Sequence, residues 1–395
     1  MATGHVEQRG QHGWTSGVID FGALVDKTQD PPKVKRDRRR LALKLPPGVD
    51  YLTKADARTQ LNAILTDIGR GNYVPPTPQT VAEYLRQWLA TRVPTLAPNT
   101  AGIYGNALTK HIIPCLGGCR LQDLTPLNVE GLYAKLLGEG LSSTMVRLVG
   151  VILHGALQDA ARWQLIVRNP CDGAKLPKVR RSQGRVLSLE EADRLLGAMA
   201  GQGDYALVCT ALFSGLRRGE LLALRWQDVD FGQGTLAVTR GLVWTRDGPL
   251  FTQPKTEASC RTVPVGVDVL AVLKTHRREQ AERRLRVGER WQANDLVFPD
   301  DRGGPREPAT FSARFGKLMK KVGFPGLRFH GLRHTHAVLL LLQGCDLKTI
   351  QTRLGHASIS TTADIYLAHT PATLQEEAAR RLDETFRHQV GTKSR

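Results

Sequence analysis

The chain has 395 residues, too many for one small core and enough for two or three domains. Lysine and arginine outnumber aspartate and glutamate by 55 to 37, and a net charge of +18 favours polyanionic partners through phosphate contacts. No apolar run is long enough to span a bilayer, no apolar leader opens the chain, and six scattered cysteines make no disulfide framework, so a cytoplasmic protein is expected.

Residues 1–74 read as a small sheet plus a helix. Short apolar stretches at Gly17–Ile19 and Leu24–Val25 alternate with turn-formers, as in a few short strands. A basic run follows, with Lys33, Lys35, Arg36, Arg38, Arg39 and Arg40. It reads either as a solvated loop or tail, or as an arm that contacts phosphates. Leu61, Ile64, Leu65 and Ile68 fall at helical spacing, and Gly69–Gly71 ends that helix. Tyr73–Pro78 is a stiff, proline-rich linker.

Residues 79–178 read as a helical bundle. Thr80 and Glu83 form a capping box ahead of Val81, Tyr84, Leu85, Trp88 and Leu89. Pro126 opens a helix that buries Val129, Leu132, Tyr133 and Leu136. A longer helix near 143–163 uses Met145, Leu148, Val149, Ile152, Leu153, Ala156 and Leu157. Cys115 and Cys119 lack a second Cys/His pair at zinc-site spacing, so packing or exposed thiols are expected there. Asn169–Pro170 and the basic stretch to Gly184 mark a second linker crossing the surface. The third segment, 185–395, opens on a capping box at Ser188 and Glu191. Helices flank a β-rich patch near 234–265, and a tail helix is expected over 371–387, with Leu374, Ala378, Leu382 and Phe386 along one face. The fold class is therefore mainly α with small β elements.

This third segment carries the chemistry. In Gly215-Leu216-Arg217-Arg218-Gly219-Glu220, a helix would set Glu220 on the face of Arg217 to hold its guanidinium. Lys255, in Pro254-Lys255-Thr256 between two strand signals, falls at the tip of a hairpin. His330 and Arg333, three apart, head an apolar helix that runs through Leu332 and Val338–Leu342. His356 follows Leu354-Gly355, and Tyr366 comes ten residues later. Alone, each has an ordinary alternative: a surface salt bridge, a solvated turn lysine, a core histidine, a packed tyrosine.

Together, two arginines, a lysine, two histidines and a tyrosine are what phosphoryl transfer through a phenolate requires. The phenol is a poor nucleophile until its proton leaves. Arg217 and Arg333 can fork onto non-bridging phosphate oxygens, and Lys255 can protonate the departing 5′ oxygen. The sequence has neither the acidic cluster of a two-magnesium site nor a phosphate-binding glycine-rich loop, so no metal and no cofactor are expected.

The ordered pattern G-L-R-R-G-E-L, P-K-T, H-G-L-R-H-T, L-G-H and Tyr366 resembles the tyrosine recombinases of the phage integrase kind. The resemblance implies an α+β catalytic domain in which Arg217, Lys255, His330, Arg333 and His356 activate the phosphate. Glu220 would orient Arg217, and Tyr366 would be the nucleophile. The middle segment is similar to that family's core-binding domain at Asn99-Thr100, Tyr104, Ile112-Ile113-Pro114 and Asn169-Pro170. The first segment matches the arm-binding domain in position and size. Further implications are a 3′-phosphotyrosine intermediate, a homotetramer on double-stranded DNA attachment sites, exchange through a Holliday junction, and an excision factor and host DNA-bending protein as partners. The catalytic set also resembles type IB topoisomerases, and a DNA-binding regulator without catalysis is the other alternative. The two DNA-binding segments argue against the first, and the complete set of six residues against the second.

Overall fold

The computed structural model describes residues 2–8, 14–26, 33–43, 52–70, 73–179, 184–245, 247–253, 260–356, 358–359 and a few positions between 379 and 386. The chain forms two compact units, Met1–Arg180 and Arg181–Arg395. It is mostly helical with small antiparallel sheets. No described helix is long and apolar enough to cross a membrane.

The first unit opens with β1 (Thr3–Gln8), β2 (Trp14–Asp26) and β3 (Lys33–Ala42), an antiparallel sheet in that order. The two apolar stretches read as separate short strands belong to one strand, β2, whose register shifts between Asp20 and Ala23. The basic run, expected as a loop or arm, is the edge strand β3, paired with β2 from Asp26↔Lys33 to Ser16↔Ala42. Backbone pairing does not depend on side-chain charge, and a charged edge discourages a further strand from adding. Arg40 reaches Glu7 on β1, with Nη2 at 2.7 Å. The side chains of Lys33, Lys35, Arg36, Arg38 and Arg39 lie outside the described structure.

Helix α1 (Lys54–Gly69) starts at a capping box of Thr53 and Asp56. It buries Ala57 and Leu61, while Ile64, Leu65 and Ile68 are half-buried. The proline-rich segment after it is pinned at two points: Gln122 Oε1 accepts from Thr77 N, and Gln122 Nε2 donates to Pro75 O.

The bundle contains α2 (Val81–Arg92), α3 (Pro98–Ala107), α4 (Ile113–Leu116), α5 (Pro126–Gly138) and α6 (Ser143–Arg162). The expected faces of α2 and α5 are buried, except that Leu89 is only partly covered. On α6 the reading differs by one position: Met145 is exposed and Val146 is buried. Residues 149, 152, 153, 156 and 157 place the apolar stripe one step past Met145. Cys115 and Cys119 pack against the bundle core. Asp159 ties α6 to α2: Trp88 Nε1 and Arg92 Nη2 donate to Oδ2 at 2.8 and 2.6 Å, and Arg162 Nη2 donates to Oδ1 at 2.7 Å. Asn169-Pro170, read as the start of a surface linker, is buried instead. Asn169 Nδ2 donates to His154 O, and Cys171 N donates to Asn169 Oδ1, so the pair closes the bundle.

In the second unit, α7 (Leu189–Met199) carries the expected capping box and precedes α8 (Tyr205–Ser214), which is buried almost throughout. Then come α9 (Arg218–Ala223), β4 (Val229–Asp230), β5 (Thr235–Val238), β6 (Gly241–Thr245), β7 (Gly248–Thr252) and β8 (Arg261–Pro264). The unit continues with α10 (Val267–Val287), α11 (Pro308–Lys321), α12 (Phe329–Leu342) and α13 (Leu347–Leu354). The two strand signals are direct partners, with Val238 opposite Arg261, and the ribbon β6–β7 is inserted between them. Strands β7 and β8, which flank Lys255 in sequence, belong to different sheets, and Lys255 itself, expected at a hairpin tip, lies outside the described residues. On helix α12, Phe329, Gly331–Arg333 and Thr335–Val338 are buried, while His330 is exposed, His334 and Leu339–Leu341 are partly exposed, and Leu342 is exposed.

Candidate active site

The site begins where α8 ends. Gly215 has φ +65°, and a Cβ there would lie 2.5 Å from His336 Cδ2 and 2.7 Å from Leu354 Cδ2. Only glycine lets α8 stop in a left-handed turn this close to α12 and α13.

The turn delivers Arg217 to the head of α9. Arg217 is not on the helix face expected from its spacing: it is the extended residue that caps α9 (φ −66°, ψ 151°), and Glu220 is the third residue of the helix. The carboxylate still holds the arginine, accepting from Arg217 N at Oε2 and from Nη1 at Oε1, both at 2.8 Å. Arg261 of β8 takes the same carboxylate from the other side, Nη2 to Oε2 at 2.9 Å and Nη1 to Oε1 at 3.2 Å. Burial opposes ionisation of Glu220, but the guanidiniums of Arg261 and Arg217 outweigh it and lower its pKa to about 2.

Arg217 and Arg333 converge on the end of α13. Arg217 Nη2 donates to Gly355 O at 2.6 Å. Arg333, only 2% exposed, donates from Nη2 to Leu354 O at 2.6 Å and from Nη1 to Gly215 O at 2.7 Å. Arg333, read as one of two polar side chains at the head of an apolar helix, is thus buried and bonded to the chain's own carbonyls. Each guanidinium has five N–H donors, and these contacts use two of them. Burial, then the charge of Arg217, lowers the Arg333 pKa to about 9.

Gly355 caps α13 in the left-handed conformation and turns the chain into His356. That backbone is held by Gln351, whose carbonyl accepts from His356 N and whose Nε2 donates to His356 O. Burial and the charges of Arg333 and Arg217 lower the His356 pKa to about 4. His330, stacked edge-on against His334 at 4.5 Å, is lowered in the same direction by desolvation and by Arg333, Arg217 and Arg218. Both imidazoles are therefore neutral near pH 7 in the DNA-free protein.

Arg217, Glu220, His330, Arg333 and His356 thus come together. Lys255 and Tyr366 lie outside the described residues, as does most of the expected tail helix. Of the tail's apolar face, Phe386 is described: it is helical and exposed. Arg217, Arg218, Ser312, Arg328 and His330 line an open cleft of 680 Å³. Among the described residues no three His, Cys, Asp or Glu side chains group as metal ligands would.

Sequence reasoning missed three supporting residues. His336 Nδ1 bonds Leu212 O at 2.9 Å, and its Nε2 accepts from Arg353 Nε at 3.0 Å. A ring nitrogen that accepts carries no proton, so His336 is the neutral Nδ1–H tautomer. Arg353 continues to Phe213 O and Pro264 O, while its own carbonyl accepts from Arg261 Nε. The available signal was a polar residue inside an otherwise apolar helix, which needs partners when buried.

Residues 185–373 match the phage integrase family, and residues 80–137 match its N-terminal SAM-like domain. A XerC-like tyrosine recombinase of Caldanaerobacter subterraneus subsp. tengcongensis is 29% identical over 85% of this chain and 90% of its own length. The ICEBs1 integrase of Bacillus subtilis is 30% identical over 70% of this chain and 75% of its own. The solved Tn1549 transposon integrase in complex with transposon right end DNA shares the fold, with a TM-score of 0.65 and 22% identity over 77% of this chain and 99% of that one. The chain belongs to the phage integrase family of tyrosine recombinases.

Proposed function

We propose that this protein is a site-specific integrase that joins or releases a mobile element by cutting and resealing DNA through Tyr366. The observation that carries the reading is the convergence of Arg217, Arg333, His330 and His356 on one spot, with Arg217 and Gly355 bonded across 138 residues of chain. Tyr366 follows that spot by ten residues.

In the proposed step the Tyr366 oxygen attacks the scissile phosphorus as its proton leaves. The bond to the 5′ oxygen breaks, and Lys255 supplies the proton that makes a 5′-hydroxyl. The remaining N–H groups of Arg217 and Arg333 stabilise charge on the non-bridging oxygens. Neutral His330 and His356 can donate an N–H to the phosphate or accept the phenol's proton. The 3′-phosphotyrosine keeps the phosphodiester energy, so resealing is the same step reversed, with the 5′-hydroxyl as nucleophile.

The same reading takes residues 79–178 as the grip on core DNA sites and residues 1–74 as the binder of arm sites, with the basic strand β3 facing phosphate. It also includes a tetramer on paired attachment sites, a Holliday-junction intermediate, and accessory excision and DNA-bending proteins. The test is Lys255→Ala on DNA whose scissile 5′ oxygen is replaced by sulfur, a leaving group that needs no acid. Cleavage by the variant should be slow on ordinary DNA and restored on the thiol substrate. Equal defects on both would remove Lys255 as the acid.

A further inference from the structure

We infer that Arg261 is a positioning residue of the recombinase site, fixing Glu220, and through it Arg217, to strand β8 and to the last turn of α13. The inference rests on the function proposed above and assigns a role to a residue outside the six-residue set.

Arg261 opens β8, and its side chain is 7% exposed. It is not among the residues that line the cleft, so it acts through its neighbours. Its guanidinium meets the Glu220 carboxylate fork to fork, while its Nε donates to Arg353 O at 2.8 Å. Glu220 is thereby saturated: Oε2 accepts from Arg217 N and Arg261 Nη2, and Oε1 from Arg217 Nη1 and Arg261 Nη1. With every acceptor position filled, the carboxylate cannot swing, and the side chain of Arg217 is held in one rotamer with Nη2 on Gly355 O.

Strand β8 is stitched to α13 in both directions. Arg261 Nε reaches Arg353 O, and Arg353 Nη2 returns to Pro264 O at 2.8 Å. His336 fixes Arg353 from behind. Arg261, six residues after Lys255 in the chain, therefore links the acid that holds Arg217 to the helix that leads through Gly355 into His356. An apolar side chain could fill the same space, but it would leave a buried carboxylate with one cation instead of two.

The charged groups facing Glu220 are Arg217 and Arg261, with the buried Arg333 close enough to feel its charge. Removing Arg261 withdraws half of these hydrogen bonds and one of the two paired cations. Protonation of Glu220 then becomes easier, and a protonated Glu220 releases Arg217.

The experiment measures DNA affinity and single-turnover covalent adduct formation on a nicked suicide substrate, from about pH 5 to about pH 8, for wild type, Arg261→Gln and Arg261→Lys. At neutral pH, Arg261→Gln should bind DNA normally and cleave about tenfold more slowly, the lower end of the loss seen when an outer-shell partner is removed. The ratio of variant to wild-type rate should fall further toward acid, and Arg261→Lys should recover part of it. A ratio that is flat with pH, or no recovery by lysine in a folded protein, overturns the positioning role. If Arg261→Gln does not fold, Arg261→Lys must still show the acid-dependent ratio in a shallower form, and its absence has the same consequence. A wild-type protein that forms no adduct would instead overturn the tyrosine reading, and the inference with it.

Discussion

Arg217 donates from Nη2 to the carbonyl oxygen of Gly355 at 2.6 Å. Arg333 makes the matching bond to the preceding carbonyl, Leu354. Two residues that the chemistry assigns to a phosphate thus also fix the backbone that leads into His356. In the proposed function, building the site and binding the phosphate fall to the same two side chains, through different N–H groups.

Arg217→Lys should separate those duties. Lysine keeps the charge but lacks the planar fork, so it cannot hold Glu220, Gly355 O and a phosphate oxygen together. Adduct formation should slow by roughly 10²- to 10³-fold, the usual cost of losing one donor to a developing oxyanion, with DNA affinity changed little. Single-turnover rates beside a binding titration check this, and a rate within about threefold of wild type would rule out the forked contact.

Asp159→Ala should weaken the helical bundle. The carboxylate is buried, its side chain 6% exposed, and it accepts from Trp88, Arg92 and Arg162. Breaking a fully buried pair costs about 3–5 kcal/mol, and the arginines here keep contact with water, so a loss of roughly 2 kcal/mol is expected. Urea unfolding followed by tryptophan fluorescence reports it directly, because Trp88 loses its acceptor.

Acid should destabilise the second unit through His336. Burial, then the charge of Arg353, lowers its pKa from 6.5 to about 4. Between those values the unfolded chain binds the proton and the folded one does not. The stability contributed by the neutral ring is complete above about 6.5, falls as the pH drops through the window, and is gone near 4, a loss on the order of 3 kcal/mol. His276, lowered by burial, works in the same direction, while Glu220, at about 2, stays ionised throughout. Denaturant midpoints measured across that window should decline for wild type and more shallowly for His336→Asn, whose amide can replace the Nδ1 bond without titrating. Parallel declines would exclude His336 as the source.

The helices and five members of the site were legible because periodicity, capping boxes and motif spacing are local. Thr80 with Glu83 and Ser188 with Glu191 form the caps that their spacing implied. What escaped was set by tertiary partners. A charged run becomes strand β3 because β2 supplies its hydrogen bonds. Arg217 caps α9 rather than riding on it because, after the turn at Gly215, the helix begins only at Arg218. Arg261 and Arg353 gain meaning only when β8 and α13 meet, and no local pattern in the sequence encodes that meeting.

In the proposed reaction Tyr366 carries the DNA. Wild type and Tyr366→Phe should be incubated with a nicked suicide substrate, denatured and resolved. A denaturant-resistant protein–DNA adduct is expected for wild type and none for Tyr366→Phe, with equal DNA binding by both. An adduct formed by Tyr366→Phe would contradict it.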